Sequence, residues 1–274
     1  MDWIVAIPIY NAIELTRRAV ECLLSSGVPV DRIRLLDDGS TDECWSELRD
    51  WATQRGCAYE RHEENQGYTA NIARAFDGAS KYVLLLNSDC LIRRADIEAM
   101  VEAAEAFPML AAIGPLSNQA GSQSVVLSSE RSWIHLTQAE IFSAIDYLAP
   151  KLEWKFGRRP IVVPSINGFC ALWRTEAIRE VGGFDAINFP RGYGEEDDLC
   201  FRLMQAGWFC AIAPWIMAVH FKTQSFSAAQ RDELKAQARM TLQRLHGSRF
   251  FQSVINHVPN HPLLQRMAIE PADL

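Results

Sequence analysis

Four times in the first ninety residues a segment with strand character gives way to polar side chains, and this alternation constrains the chain more than any other feature. Trp3–Ile9 is followed by Tyr10 and Asn11, Arg32–Leu36 by Asp37 and Asp38, residues 57–62 by Asn65–Gly67, and Tyr82–Leu86 by Asn87, Ser88 and Asp89. The continuous apolar run Trp3–Ile9 reads as a buried strand, the habit of parallel sheets, and the other three segments read as strands beside it. The intervening segments carry helical spacing. Asn11 is placed to cap a helix with Leu15, Ala19, Cys22 and Leu23 on one face, closed by Gly27. Ser40 and Glu43 form a capping box for a helix through Gln54 with Trp45, Leu48 and Trp51 inward, and residues 69–79 form a third helix. Repeated βα units predict an α/β fold, an open, mostly parallel twisted sheet with helices on both faces. Such sheets bind ligands at the carboxyl ends of their strands, where these polar residues cluster.

Beyond residue 91 the pattern predicts a helix over Asp96–Phe107 and a strand over Leu110–Gly114, then a polar loop from Ser117 to Ser132. Residues 133–160 are weakly periodic and carry no readable element. Two apolar runs, Ile161–Ser165 and Phe169–Trp173, precede a helix at Thr175–Val181. The acidic run Glu195–Asp198 opens another helix through Ala206, and a last buried strand runs up to His220. Ala228–His246 reads as an amphipathic helix with Leu234, Ala238, Leu242 and Leu245 along its apolar face. No internal repeat is present.

Composition narrows the function. Hydrophobic residues make up 49% and charged residues 22% of the 274, enough for a sizeable core. The net charge of −7 argues against coating nucleic acid but not against a nucleotide whose phosphates a metal ion neutralises. The seven cysteines show no CxxC or zinc spacing, so reduced buried thiols are expected. The start lacks a basic region and cleavage site, and the longest apolar stretch, Phe209–Phe221, is short and interrupted by Pro214. A cytoplasmic protein with at most peripheral membrane contact is expected.

Three groups of residues carry candidate chemistry. Asp37 or Asp38 can accept the N3–H of uracil or thymine, and either can equally begin a turn. Asp89, just after a buried strand, suits a hard divalent ion shared with a diphosphate, while an ordinary Asx turn also uses such a residue. Glu195, Glu196, Asp197 and Asp198 stand in one helical turn. Acidic residues favour helix N-termini through the macrodipole, yet neighbours point about 100° apart, so one or two should face the crevice and serve as general base. His220, ending an apolar strand, is an acceptable Mn²⁺ ligand. None of the other five histidines reads as standing at a comparable strand end.

In this order the segments resemble a family 2 glycosyltransferase of the GT-A fold. The resemblance runs through Ile7-Pro8-Ile9-Tyr10-Asn11, Asp37-Asp38-Gly39-Ser40-Thr41-Asp42, Asn65-Gln66-Gly67 and Leu86-Asn87-Ser88-Asp89. It continues through Asn167-Gly168-Phe169, Gly182-Gly183-Phe184-Asp185, Gly194-Glu195-Glu196-Asp197-Asp198-Leu199, Arg202 and His220. It implies a domain over 1–225, with a nucleotide-sugar half (1–90), an acceptor and catalytic half (91–225), and a helical extension (226–274). Pro8, Tyr10, Asn11, Asp38, Asn65, Gly67, Asn87 and Ser88 would line the nucleotide site. Asp89 would bind Mn²⁺ or Mg²⁺ with His220 as a further ligand. Glu196 replaces the family's usual Asp base, leaving Asp197 as its alternate and Glu195 beside them, and Asn87 replaces the first Asp of many DxD motifs.

The resemblance further implies an inverting, single-displacement transfer from a UDP- or dTDP-linked sugar to a saccharide or lipid-linked saccharide acceptor in surface polysaccharide or glycoconjugate assembly. No transmembrane helices or Gln-x-x-Arg-Trp motif accompany it, which points away from a processive synthase. Two other readings stand beside it. A sugar-phosphate nucleotidyltransferase would carry a Gly-rich phosphate loop after the first strand, where Pro8-Ile9-Tyr10-Asn11 stands. A non-catalytic nucleotide-sugar-binding or scaffolding protein would tolerate the substituted base position. For residues 228–274 packing on the core is expected, with homodimerisation or membrane contact as further roles.

Overall fold

The computed structural model describes residues 1–41, 45–78, 80–125, 133–222 and 228–250. In chain order the elements are β1 (Trp3–Ile9), α1 (Ile13–Ser25), β2 (Ile33–Asp37), α2 (Trp45–Gln54), β3 (Ala58–Arg61), α3 (Tyr68–Ala73), β4 (Tyr82–Leu86) and β5 (Cys90–Leu91). There follow α4 (Arg94–Ala106), β6 (Leu110–Ser117), α5 (Gln138–Phe156), β7 (Ile161–Val163), β8 (Cys170–Arg174), α6 (Thr175–Glu180), α7 (Glu195–Gln205), β9 (Phe209–His220) and α8 (Ala228–Phe250). Nine strands form one sheet in the order β3-β2-β1-β4-β8-β6-β9-β5, with β7 paired to β9.

β1, β2 and β4 are buried almost throughout, while β3, at the edge of the sheet, is half-buried to exposed. β3, β2, β1 and β4 run parallel, with Ile7 opposite Leu35 and Val5 opposite Leu84. From β8 onward the sheet is mixed: β8 is antiparallel to both β4 and β6, and β6 is parallel to β9. β1, β4, β6 and β9 therefore point their carboxyl ends at one rim.

Pro8 and Pro214, both inside strands, are each tolerated because no ladder donor is needed where they stand. The Ile9 carbonyl accepts from Asp38 on the β2 side, so the nitrogen of Pro8 faces β4, whose pairing with β1 has already ended at Ala6–Leu85. Pro214 lies where Ala213 and Met217 pair with the consecutive residues Pro115 and Leu116, in a bulge that needs no donor.

Several local expectations are corrected. Asn11 does not cap α1. Ala12 precedes that helix without a side-chain cap, and Asn11 takes a left-handed conformation at φ 52°. The third helix is shorter than expected, ending as a single 3-10 turn over Arg74–Phe76. Residues 133–160, unreadable in sequence, hold the 19-residue α5, opened by a Thr137–Glu140 capping box. Its buried stripe of Ile141, Ile145, Leu148 and Leu152 is regular, but exposed Tyr147 and Trp154 and the internal Pro150 obscure it. Glu43, and so the capping box read for α2, lies outside the described residues, as does much of the polar loop, residues 126–132.

In α8 the packed face is Ala238, Leu242 and His246. Leu245, expected there, is exposed. Among the described residues no helix is long and apolar enough to cross a membrane. The six described cysteines are free and buried.

Candidate active site

Asp37 and Asp38 are adjacent and both buried, yet they do different work. The Asp37 carboxylate accepts from the Ser40 amide and hydroxyl at 2.9 and 2.6 Å and from the Tyr59 hydroxyl at 2.7 Å, with the Arg61 guanidinium at 3.2 Å. It is a structural hub beneath the β2 turn. Asp38 faces the next loop. Its Oδ1 accepts from the Gln66 amide and meets His62 Nδ1, both at 2.9 Å, and its Oδ2 accepts from the Gly67 amide at 2.9 Å. A carboxylate offers about four acceptor sites, so three are engaged and one is left for a ligand.

His62 therefore does stand at a strand end, directly after β3, which corrects the reading that His220 alone does so. The alternation around residues 57–62 marked a strand but gave no sign that its last side chain turns toward Asp38.

The remaining donor-side residues are stitched to this pair. Asn11 donates its amide to Ser40 Oγ at 3.0 Å and accepts from the Thr41 amide at 2.8 Å, tying the β1 loop to the β2 loop. Tyr10 is exposed on the rim and Pro8 is buried beneath it. Asn65 Oδ1 accepts from the Gly67 amide at 3.0 Å. Gly67 has φ +93°, and a Cβ there would stand 2.2 Å from the Pro190 carbonyl oxygen, so only glycine fits. Asn87 accepts from the buried Tyr68 hydroxyl at 3.3 Å. Tyr68 was not singled out in the sequence, where the third helix reads as starting at residue 69. Ser88 is half-buried in the turn between Asn87 and Asp89.

Asp89 and His220 meet across two strands. Asp89 Oδ1 lies 3.3 Å from His220 Nε2, and the Asp89 carbonyl accepts from the Phe221 amide. The other imidazole nitrogen, Nδ1, lies 2.9 Å from the Gln119 carbonyl, which can only accept. Nδ1 therefore carries a proton, and the neutral form of the ring turns the Nε2 lone pair toward the carboxylate. Two lone-pair donors turned toward each other at this distance suit a shared divalent ion, with the carbonyl orienting the imidazole. Stacking on Phe169, at 5.2 Å and 12° between planes, fixes the ring. Cys90 completes a three-residue cluster, but complete burial holds its thiol well above the usual range. As soft sulfur it is the least suited of the three to a hard Mn²⁺ or Mg²⁺ ion. Gln119 and its neighbour Asn118, which exchanges hydrogen bonds with the His220 backbone, come from the polar loop and had no signal in sequence.

The four carboxylates of α7 go to four different places, as 100° steps require. Glu196 reaches toward the loop before β8 and accepts from the Gly168 amide at 2.9 Å. A Cβ on Gly168 would lie 2.0 Å from Glu196 Oε1, so this glycine makes the seat for the carboxylate. Burial, reinforced by Asp197, pushes the Glu196 carboxyl up to about 7. Asp197 accepts from Ser165 Oγ and is also raised by burial. Glu195 is 2% exposed, and its Oε2 has no hydrogen-bond partner among the described residues. Burial, then the charge of Glu196, hold it well above the carboxylate range. Asp198 is bound by Arg202 at 2.9 and 2.6 Å and by His246 at 2.7 Å, a structural role. Gln123, 1% exposed, links the Asn167 amide to the Pro115 carbonyl and so ties the Gly168 loop to β6.

A mostly parallel sheet with polar residues at its strand ends is the fold that the sequence resemblance implies. Residues 4–182 match the family Glycosyl transferase family 2, about two thirds of the chain. The chain belongs to that family.

This family 2 chain is similar, at 29% identity over 167 residues, to N-acetylglucosaminyl-diphospho-decaprenol L-rhamnosyltransferase from two strains of Mycobacterium tuberculosis. The match covers 58% of this chain and 53% of that protein, so the chain spans about half the length of the curated relatives it matches. Among solved structures, a mannosyltransferase from Pyrobaculum calidifontis in complex with GDP-Man and Mn²⁺ superposes with a TM-score of 0.63 at 16% identity, covering 97% of this chain and 72% of that one. Glucosyl-3-phosphoglycerate synthase from Mycobacterium tuberculosis, in complex with Mn²⁺, UDP and phosphoglyceric acid, superposes with a TM-score of 0.55 at 15% identity, covering 89% and 78%. These likenesses establish the GT-A type of fold. Glu195–Asp198 and His220 lie beyond the family match, and their assignment rests on geometry.

Proposed function

We propose that this chain is an inverting glycosyltransferase that moves a sugar from a UDP- or dTDP-linked donor to the hydroxyl of a saccharide or lipid-linked saccharide. The observation that carries the reading is the meeting at one rim of the Asp38-held loop, the Asp89–His220 pair and the Gly168-seated Glu196.

Pro8, Tyr10, Asn11, Asp38, Asn65, Gly67, Asn87 and Ser88, all in the 1–90 half, form the nucleotide wall. Asp38 keeps one acceptor position for a pyrimidine N3–H while holding the Gln66 and Gly67 amides in place. Asp89 and His220 hold Mn²⁺ or Mg²⁺, whose charge, when bound, offsets that of the departing diphosphate. Glu196 is the base. The Gly168 amide fixes Oε1, and a carboxyl raised to about 7 is matched to proton abstraction near neutral pH. As the acceptor oxygen bonds to the anomeric carbon, its proton passes to Glu196 and the bond to the diphosphate breaks with its electron pair. Asp197 and Glu195 flank the base: its own burial, then the charge of Asp197, keep its affinity for a proton high, while the contact with Glu195 works the other way.

The name of the mycobacterial relative specifies a decaprenol-linked acceptor. That supports a lipid-linked acceptor here, met at the cytoplasmic face of a membrane in glycoconjugate assembly. The nucleotidyltransferase reading has no support at β1, whose following loop, Tyr10-Asn11-Ala12, contains no glycine.

The test is a titration of UDP, dTDP, GDP and CMP with Mn²⁺, Mg²⁺ or EDTA, on the wild type and Asp89→Ala. Metal-dependent binding of UDP or dTDP that collapses in the variant is the expected result. Absence of binding by every nucleotide, with or without metal, sinks the donor site.

A further inference from the structure

Helix α8 lies outside the segment that matches the family, yet it grips the helix that carries the catalytic carboxylates. Residues 238, 242 and 246 recur at four-residue intervals and so share one face. At the first level α8 closes on the residue that starts α7: a Cβ on Gly194 would stand 3.0 Å from Ala238 Cβ and 3.0 Å from the Phe189 ring. At the second, Leu242 joins Phe189 and Phe201 in an apolar cluster separate from the main core. At the third, His246 lies with its ring 4.7 Å from that of Phe201 and its Nε2 2.7 Å from Asp198 Oδ1. Arg244 adds a bond to Asn188 at 2.6 Å.

Asp198 is the bridge in this arrangement. Its Oδ2 is taken twice by Arg202, which also donates to the carbonyls of Val181 and Gly183 in the preceding turn. Its Oδ1 faces α8. The carboxylate is 2% exposed, so the contact is unlike a solvated surface pair. On the opposite side of α7, Glu196 fills the space left by Gly168, where a Cβ would overlap its Oε1, and accepts from the Gly168 amide at 2.9 Å. A rotation or slide of the first turn of α7 would lengthen the Glu196–Gly168 bond, and α8, together with the Arg202 clamp, opposes that motion.

We infer that His246 is a positioning residue for the transfer: through Asp198 it sets where Glu196 and Asp197 stand. The inference rests on the reading that these carboxylates serve the reaction.

The experiment compares wild type, His246→Ala and His246→Gln as full chains with Mn²⁺. Three quantities are measured: UDP affinity, the kcat and KM for hydrolysis of UDP-glucose with water as acceptor, and hydrogen exchange of the amides of residues 195–199. The alanine variant should keep UDP affinity and KM within about twofold, lose about tenfold or more in kcat, and exchange faster at 195–199. Glutamine, which still presents a side-chain N–H toward Asp198, should recover most of both losses. Unchanged kcat and exchange in the alanine variant overturn the inference, as does parallel loss of UDP affinity and kcat with no recovery by glutamine. If the wild type binds UDP and hydrolyses nothing, the transfer reading fails at this substrate, while the exchange comparison still decides whether His246 holds α7.

Discussion

Asp89 Oδ1 and His220 Nε2 stand 3.3 Å apart, although one residue follows the fourth strand and the other ends the ninth. The pairing of Cys90 with His220 in register brings them together, and the Gln119 carbonyl turns the imidazole lone pair inward. Two ligands of one ion act as a unit. Asp89→Ala and His220→Ala should each weaken Mn²⁺-dependent UDP binding by about ten- to a hundredfold, and the double variant should be little worse than either. Calorimetric titration checks this, with EDTA reducing the wild type to the level of the variants.

Glu196, raised to about 7, is half protonated near neutral pH and active as a base only when ionised. Turnover should rise with pH and level off above about 7, the acidic limb reporting this carboxyl. Glu196→Gln should lower kcat by about a hundredfold or more while leaving UDP affinity near wild type. A pH–rate profile in which the limb persists in the glutamine variant would move the role of base to Asp197.

Glu195 is a buried carboxyl whose folded value lies well above its unfolded one. The sign follows directly: the folded state is relatively favoured below the unfolded value, and that advantage is lost as pH rises toward and through the folded value. Glu195→Gln removes the titration, so its melting temperature should exceed that of the wild type at pH 8 by more than at pH 5. Thermal melts at the two pH values decide it.

The adjacent aspartates should separate cleanly. Asp37→Asn leaves the Arg61 guanidinium beside an uncharged amide and disturbs the Ser40 and Tyr59 bonds, and should cost about 2–4 kcal/mol in urea unfolding. Asp38→Ala releases the Gln66 and Gly67 amides, so UDP affinity should fall by about tenfold or more.

Gly168→Ala tests the seat of the base. The added Cβ would fall 2.0 Å from Glu196 Oε1 and must displace it. A loss of about ten- to a hundredfold in kcat is expected, with UDP affinity unchanged. Steady-state kinetics beside the nucleotide titration read both.

Much of this was legible in the residues themselves. The bounds of β1 agree with its apolar run residue for residue, and the polar residues after β1, β2 and β4 do gather at one rim, because a parallel sheet must put its strand ends there. The acidic run opened a helix where the macrodipole favours it. Illegible were features whose signal is weak locally. The stripe of α5 is masked by exposed aromatics, and Asn11 looks like a helix cap although its partners belong to a loop after the next strand.

Local chemistry sets the strands, the helices and the kinds of side chain offered to the rim, because periodicity and turn preference act over a few residues. Which carboxylate seats against Gly168, which aspartate holds a loop and which histidine meets Asp89 or Asp198 depend on contacts between residues far apart in the chain. Those contacts arise only once the sheet has closed and α8 has packed on α7, since hydrogen bonds and burial are decided by distance in space.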